Sequence, residues 1–247
     1  MPDWLVADWD APSGVGAGVS LRTGGRSRGP YASGNVGAHV GDEPHTVQAN
    51  RAALTRQLDL AGSPLWLDQV HGTRVVDADA WDSSEPPRAD AAVTRTGRCL
   101  AIQTADCLPV LLASRDGSVF GAAHAGWRGL AGGVIEATLL AMRVPPDSIV
   151  AWLGPAISAG HYEIDTPVRA AFSDADRRLP GAFSPTRPGH YRCDLAAIAG
   201  DRLARAGVTA TRSSRHCTYA DEARFFSFRR DGRTGRQVSL IFASRRG

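Results

Sequence analysis

The chain predicts an α/β (α+β) fold: a single layered domain with mixed β-sheets flanked by helices. Three observations carry this expectation. The 247 residues, 43% hydrophobic, suffice to bury a full core. Strand-like and helix-like patterns interleave without a clean βαβ period. No internal repeat is visible, and the two Pro-, Gly- and polar-rich loops, 82–90 and 178–190, are too short for interdomain linkers. Residues 1–247 therefore read as one domain.

In chain order, the first strand falls near 15–22. Gly14, Gly16 and Gly18 resemble a dinucleotide-binding loop, but position 19 is valine, so the run reads as a Gly-rich strand. A helix follows over about 45–60, with Asp42 and Glu43 ahead of Pro44 as its start signal. Valine-rich or alternating stretches predict strands near 65–70, 74–78, 99–104, 108–113, 118–124, 149–153 and 237–243. Helical patterns occupy about 129–142, 166–177 and 194–206. Trp66, Trp81, Trp152 and Phe225 read as core residues.

Composition excludes several function classes. No apolar run approaches the roughly twenty residues that cross a bilayer, and Met1-Pro2-Asp3-Trp4 lacks a signal-peptide pattern. A cytoplasmic address and no membrane partner are expected. Cys99, Cys107, Cys193 and Cys217 should then be reduced. The net charge of +3 is mild and the arginines are scattered, so no nucleic-acid partner is indicated. The Arg-Arg pairs at 177–178, 229–230 and 245–246 read as solvated surface. The chain has no lysine, which excludes Schiff-base, pyridoxal and Walker-A chemistry.

His71, Cys107 and His124 stand in short stretches whose composition suits a site better than a core. Two imidazoles and a thiolate are donors that zinc prefers, and three protein ligands leave a fourth position open, the catalytic pattern. Their spacing is too long for a zinc-finger knuckle, so the fold must assemble them from separate segments. Seven histidines and four cysteines allow many other triples, and spacing alone does not select this one.

The words around these residues do. Gln69-Val70-His71-Gly72, Thr104-Ala105-Asp106-Cys107 and His124-Ala125-Gly126-Trp127-Arg128-Gly129 resemble the motifs of the laccase-domain (polyphenol oxidase) family, also described as purine nucleoside phosphorylase and peptidoglycan editing factor. Asn35-Val36-Gly37 with His39-Val40-Gly41-Asp42 is similar to its N-terminal signature, and Gly154-Pro155-Ala156-Ile157 to its central one. His216-Cys217-Thr218, Phe225-Phe226-Ser227 and Arg229-Arg230-Asp231 resemble its C-terminal one. The resemblance runs from about Gly16 to Ser244 and implies a layered domain with strands sandwiched between helices. The family often has a second Cys after the C-terminal Cys-Thr, where this chain has Ala220.

Around the ligands, His124 should end a strand, with glycines turning the chain into a helix near Arg128 whose positive end faces the metal. Arg128 is the candidate phosphate holder. Cys107 precedes Pro109, which predicts a strand end or turn. Asp106 is a candidate proton-handling carboxylate beside it, although adjacent strand residues face opposite ways. Gln69 should share a face with His71. Asn35, His39, Arg51 and Arg22 are candidate pocket residues, and Trp127 a candidate pocket wall. His45, His161 and His190 read as solvated or capping, His216 as ambiguous, and Cys217 as core.

Four activities compete. Multicopper oxidation, an oxidoreductase chemistry, needs about eight histidines and His-x-His pairs; seven histidines and no such pair disfavour it. Resemblance implies instead a zinc enzyme, with copper as the alternative ion. It would cleave adenosine, inosine and methylthioadenosine with phosphate, a transferase reaction, and deaminate adenosine, a hydrolase reaction. Its partners would be purine nucleosides and phosphate, and its state a monomer or homodimer. A metal-free Cys–His hydrolase using Cys107, acting as an amidase on peptidoglycan precursors, uses the same residues. A non-enzymatic module with structural zinc would need a fourth protein ligand.

Overall fold

Residues 108–114 are buried along their whole length. A strand with period-two side chains can be buried throughout only where both sheet faces are covered. Leu108, Val110 and Leu112 enter one apolar cluster, and Leu111 and Ala113 enter another. The rest of the architecture follows from that double burial.

The computed structural model describes residues 3–244. The Met1-Pro2 start and the Arg245–Arg246 pair lie outside the described residues. The chain begins with β1 (Trp4–Val6), β2 (Val15–Ser20), α1 (Pro44–Gln57), β3 (Val75–Asp77), β4 (Ala91–Thr94) and β5 (Leu100–Thr104). Then come β6 (Leu108–Ser114), β7 (Phe120–Ala125), α2 (Trp127–Gly132), α3 (Val134–Met142), β8 (Ile149–Leu153) and β9 (Glu163–Asp165). α4 (Thr166–Ala170), α5 (Asp174–Arg178), β10 (Phe183–Arg187), β11 (His190–Cys193) and α6 (Leu195–Arg205) follow. β12 (Ala210–Ser213), α7 (Phe228–Asp231) and β13 (Gln237–Ala243) complete the order.

A six-stranded mixed sheet runs β12-β8-β6-β7-β4-β3, with its two outermost pairs parallel and the rest antiparallel. A four-stranded antiparallel sheet runs β1-β2-β13-β5. Ile102, Ile241 and Val19 of the small sheet meet Leu111, Phe120 and Trp152 of the large one. On the large sheet's far face, Leu130, Ile135, Met142, Ile198 and Leu203 of α2, α3 and α6 pack over Val110 and Leu153. On the small sheet's far face, Leu54 of α1 packs with Ala101, Val238 and Leu240. The layers are helix, sheet, sheet, helix, the expected mixed sheets between helices. A separate antiparallel sheet, β10-β11-β9, lies in the stretch after β8.

Several boundaries differ from expectation, each for a local reason. Residues 65–70 form no strand; isolated bridges tie Leu65 to Leu100 and Asp68 to Arg88. The predicted helix 129–142 begins earlier, at Trp127, and is split by Gly133, whose φ of 96° ends α2 in a left-handed turn. The predicted helix 166–177 is split by Ser173, which forms a capping box with Asp176 and starts α5. The 178–190 loop holds most of the β10–β11 hairpin. β4 escapes sequence reading because Ala91 and Ala92 carry no strand signal in themselves. Cys217 is half-buried and outside the apolar clusters: its Sγ accepts hydrogen bonds from the Ser158 N–H and hydroxyl. Trp152 and Phe225 are fully buried, while Trp66 and Trp81 only edge the core. All four cysteines are free. Among the described residues no helix is long and apolar enough to cross a membrane.

Candidate metal centre

His124 sits near the end of β7, in register with Phe120 and Ala122, so its side chain points into the layer between the two sheets. It is 3% exposed. Cys107 lies in the turn between β5 and β6, behind Asp106, whose φ is 96°. His71 ends the loop that follows Val70, exposed and with φ 61°. Three segments thus converge. The ligand atoms of His71, Cys107 and His124 all lie within 4.8 Å of one another, with Cys107 Sγ 3.9 Å from His71 Nε2. The imidazole rings meet edge to face, 4.8 Å apart at an angle of 72°. Among the described residues this is the one group of three or more His, Cys, Asp or Glu side chains close enough to share an ion.

Asp90, which sequence reading missed, organises two of the three. Its fully buried carboxylate accepts from Nδ1 of His124 (2.8 Å) and from the backbone N–H groups of Val70, His71 and Gly72 (3.2, 2.8 and 2.7 Å). The first contact fixes which imidazole nitrogen faces the other donors. The remaining three hold the loop that bends at His71 against its unfavourable backbone angle. Burial pushes the Asp90 carboxyl up, but the bonds from His124 and Gly72 outweigh it and hold the group ionised below its ordinary value.

Electrostatics prepare the sulfur. Burial pushes the Cys107 thiol up, yet the nearby His124 and His71 rings more than offset it and bring it down to about 6. Burial likewise opposes charge on His124, but Cys107 and Asp90 raise it to about 9. Each group thus favours the charged form of the other, and a cation that takes the place of the imidazole proton meets a sulfur primed to be a thiolate.

The donors fit zinc. Tetrahedral bonds of about 2.0–2.3 Å set neighbouring donors roughly 3.3–3.7 Å apart, so small side-chain rotations close the set. A Cβ on Gly126 would stand 3.0 Å from Cys107 Sγ and from His71 Cδ2, and 3.6 Å from His124 Nε2. Glycine at that position keeps the space beside the three donors open. Nitrogen and sulfur donors also disfavour magnesium and calcium.

These residues open onto a cavity of about 240 Å³ lined by His39, Gln69, Gln103, Thr104, Phe228 and Arg236 together with the three donors. Gln69 reaches it from a loop rather than a strand, its carboxamide paired with the backbone N–H and C=O of Gln103 (2.8 and 2.9 Å). His39 also lines it; burial, then Arg236 and Arg51, lower its basicity. Other expected residues sit elsewhere. Arg128 is exposed with its guanidinium over the Trp127 ring, and neither lines the cavity. Arg51 lies behind the wall, bonded to Val36 O and Gln103 Oε1 and stacked on Trp66. Asn35 is fully buried and bonds to Gly37, Asp42 and the Arg236 backbone. Asp106 accepts from the Thr218 hydroxyl and the Arg229 N–H, so its carboxylate anchors the C-terminal segment. Arg22 bonds to Ala32 O and Glu222 O. Phe228 and Arg236 were not anticipated. An arginine beside a strand and an aromatic beside Arg229-Arg230 give no sequence signal distinct from surface.

The model of the family described as multi-copper polyphenol oxidoreductase laccase matches residues 16–244. A Pseudomonas aeruginosa protein named purine nucleoside phosphorylase is 47% identical, over 98% of this chain and 99% of its own. An Escherichia coli protein of the same name is 43% identical, again over 98% and 99%. Among solved structures, a Neisseria meningitidis protein aligns with a TM-score of 0.93 at 45% identity, covering 98% of this chain and 99% of its own. YlmD of Geobacillus stearothermophilus aligns with a TM-score of 0.87 at 33% identity, covering 94% and 93%.

Proposed function

Because the chain belongs to the family described as multi-copper polyphenol oxidoreductase laccase, we propose that it is a zinc-dependent purine nucleoside phosphorylase forming one domain. The observation that carries this reading is the convergence of His71, Cys107 and His124 on an open cavity. The names of the Pseudomonas and Escherichia relatives support the reaction class. In phosphorolysis a phosphate oxygen bonds to ribose C1′ as the C1′–N9 bond breaks. The base leaves with the electron pair and takes up a proton.

His71, Cys107 and His124 would hold zinc, which when bound supplies a Lewis acid able to polarise a substrate oxygen or acidify water. The same chemistry suits deamination of adenosine, in which water adds at C6 and ammonia leaves. Asp90 keeps the two imidazoles oriented, and Gln69 with Gln103 fixes the wall between them and His39. Phe228, 59% exposed at the cavity edge, offers an apolar face to a purine ring. Asp106 and Asn35 position the surrounding backbone, and we assign no proton transfer to either. Adenosine, inosine and methylthioadenosine are the proposed substrates, in a cytoplasmic protein working as a monomer or homodimer.

A copper-dependent polyphenol oxidase would need more ligand groups than the one found among the described residues. One observation favours a second reading. The Cys107 thiolate beside an Asp90-held His124 also matches a Cys–His nucleophile, which could cleave amides in peptidoglycan precursors. Chelation separates the two. Adenosine is incubated with and without phosphate before and after zinc is stripped. The phosphorylase reading expects phosphate-dependent release of adenine that disappears with zinc and returns on its readdition. Catalysis undiminished in the stripped protein would refute it.

A further inference from the structure

Arg236, which immediately precedes β13, is half-buried and is the cavity's one arginine. Its Nη1 donates to the carbonyls of Thr234 and Gly235 (3.1 and 2.9 Å). Its backbone N–H is held by Asn35 Oδ1 at 2.9 Å, and Val36 N–H returns a bond to its carbonyl at 3.1 Å. The side-chain stem lies against Gly37, where an added Cβ would come 2.7 Å from Arg236 Cγ. Backbone and stem are therefore fixed. Nε and Nη2 have no partner among the described residues, and no carboxylate pairs with the guanidinium. Arg202 and Arg230 are instead paired with carboxylates, Asp176 and Glu136 for the first and Asp231 for the second, while Arg51, which also lacks a carboxylate, is stacked on Trp66.

A fixed, partly desolvated cation with free donors costs stability unless a ligand completes it. No carboxylate lines the cavity to compete for those donors, and the nearby anionic groups Cys107 and Asp106 act on Arg236 without touching it. A second unfilled group lies in the same wall: Thr104 is 2% exposed and its hydroxyl has no hydrogen-bond partner. A guanidinium offering two donors suits the oxygens of an oxyanion, and phosphate presents more of them than a carboxylate does.

We propose that Arg236, held in place by Asn35, binds the inorganic phosphate co-substrate, in the role that sequence reading gave to Arg128. The proposal rests on the phosphorylase reading and names its anion subsite. Nε and Nη2 donate to two phosphate oxygens, and the cation offsets the charge that the attacking oxygen brings towards ribose C1′. Charge-assisted contacts of this kind give about a 10- to 100-fold preference for the intact site.

The test titrates inorganic phosphate into the purified full chain by calorimetry. It compares wild type, Arg236→Gln, Arg236→Lys and Arg128→Gln, with phosphate and nucleoside KM and zinc content measured in parallel. Arg236→Gln is expected to weaken phosphate binding and raise the phosphate KM about 10- to 100-fold. Nucleoside KM and zinc content should stay near wild type, and Arg236→Lys should fall between. Unchanged phosphate binding in both Arg236 variants, or a loss that follows Arg128→Gln instead, overturns the assignment. So does acetate binding as tightly as phosphate through Arg236. A wild-type protein that releases no base with phosphate sinks the phosphorylase reading, and the titration still decides whether Arg236 holds the anion.

Discussion

Asp90 Oδ1 accepts from Nδ1 of His124 and from the backbone N–H of His71, each at 2.8 Å. One oxygen therefore orients two candidate ligands that lie on different segments. Asp90→Asn keeps the shape but removes the charge. Zinc affinity, measured by competition with a chromogenic chelator, is expected to fall about 10- to 100-fold. Unaltered affinity would show that the ligands are oriented without Asp90.

Gly126 has φ −62°, a value open to any residue, and it caps the start of α2. Gly126→Ala should leave the backbone undisturbed while placing a methyl group against Cys107 Sγ and His71 Cδ2. Purified Gly126→Ala is expected to carry much less zinc than wild type, with a nearly unchanged Tm. A full complement of zinc in the variant would contradict the placement of the ion beside this glycine.

Phe228 is one of the few large apolar side chains left exposed, and it borders the cavity. Base–aromatic stacking contributes about 1–3 kcal/mol. Phe228→Ala should raise the KM for adenosine and inosine about tenfold without altering the phosphate KM. Equal nucleoside KM values in the two proteins would remove Phe228 from the base subsite.

Asp176 of α5 binds Arg202 and Arg205 of α6, and Arg202 also reaches Glu136 of α3. Burial raises the Asp176 carboxyl, but the bonds from Arg202 and Ser173 and the charge of Arg202 hold it below the usual aspartate value. A carboxyl depressed in the folded state stabilises above the unfolded value of about 3.9, and the benefit is lost as pH falls through the lower folded value. The Tm of wild type should thus drop on acidification below about pH 4. Asp176→Asn, which leaves the 7%-exposed Arg202 with Glu136 alone, should cost about 1–3 kcal/mol at neutral pH and flatten that acid dependence. Parallel melting curves for the two proteins at every pH would exclude Asp176 as the titrating group.

The sequence marked the site better than its supports. Donor chemistry and short words singled out His71, Cys107 and His124, and the fold brings their donor atoms within 4.8 Å of one another. The cavity-lining roles of Gln69 and His39 were anticipated as well. Asp90 lies between Ala89 and Ala91 with no local pattern, and its importance comes from partners 18 to 34 residues away. Arg236 and Phe228 reach the cavity only because α7 and β13 fold back onto segments from the first half of the chain. Strands with strong apolar patterns, such as β6, β8 and β13, were legible almost to the residue. The short β1, β9 and β12 were not, since their side chains are half-exposed and alternate weakly.

β13 lies between β2 and β5, joining residues near the start of the chain to those at its centre. Until residue 243 has emerged from the ribosome, both neighbours face a gap with unpaired edges, and such edges invite aggregation. The segment leading into that strand also delivers Arg236. A chain stopped before Arg236 would lose the seam of its small sheet and one wall of its cavity together, so such products should be cleared as misfolded rather than persist in weakened form.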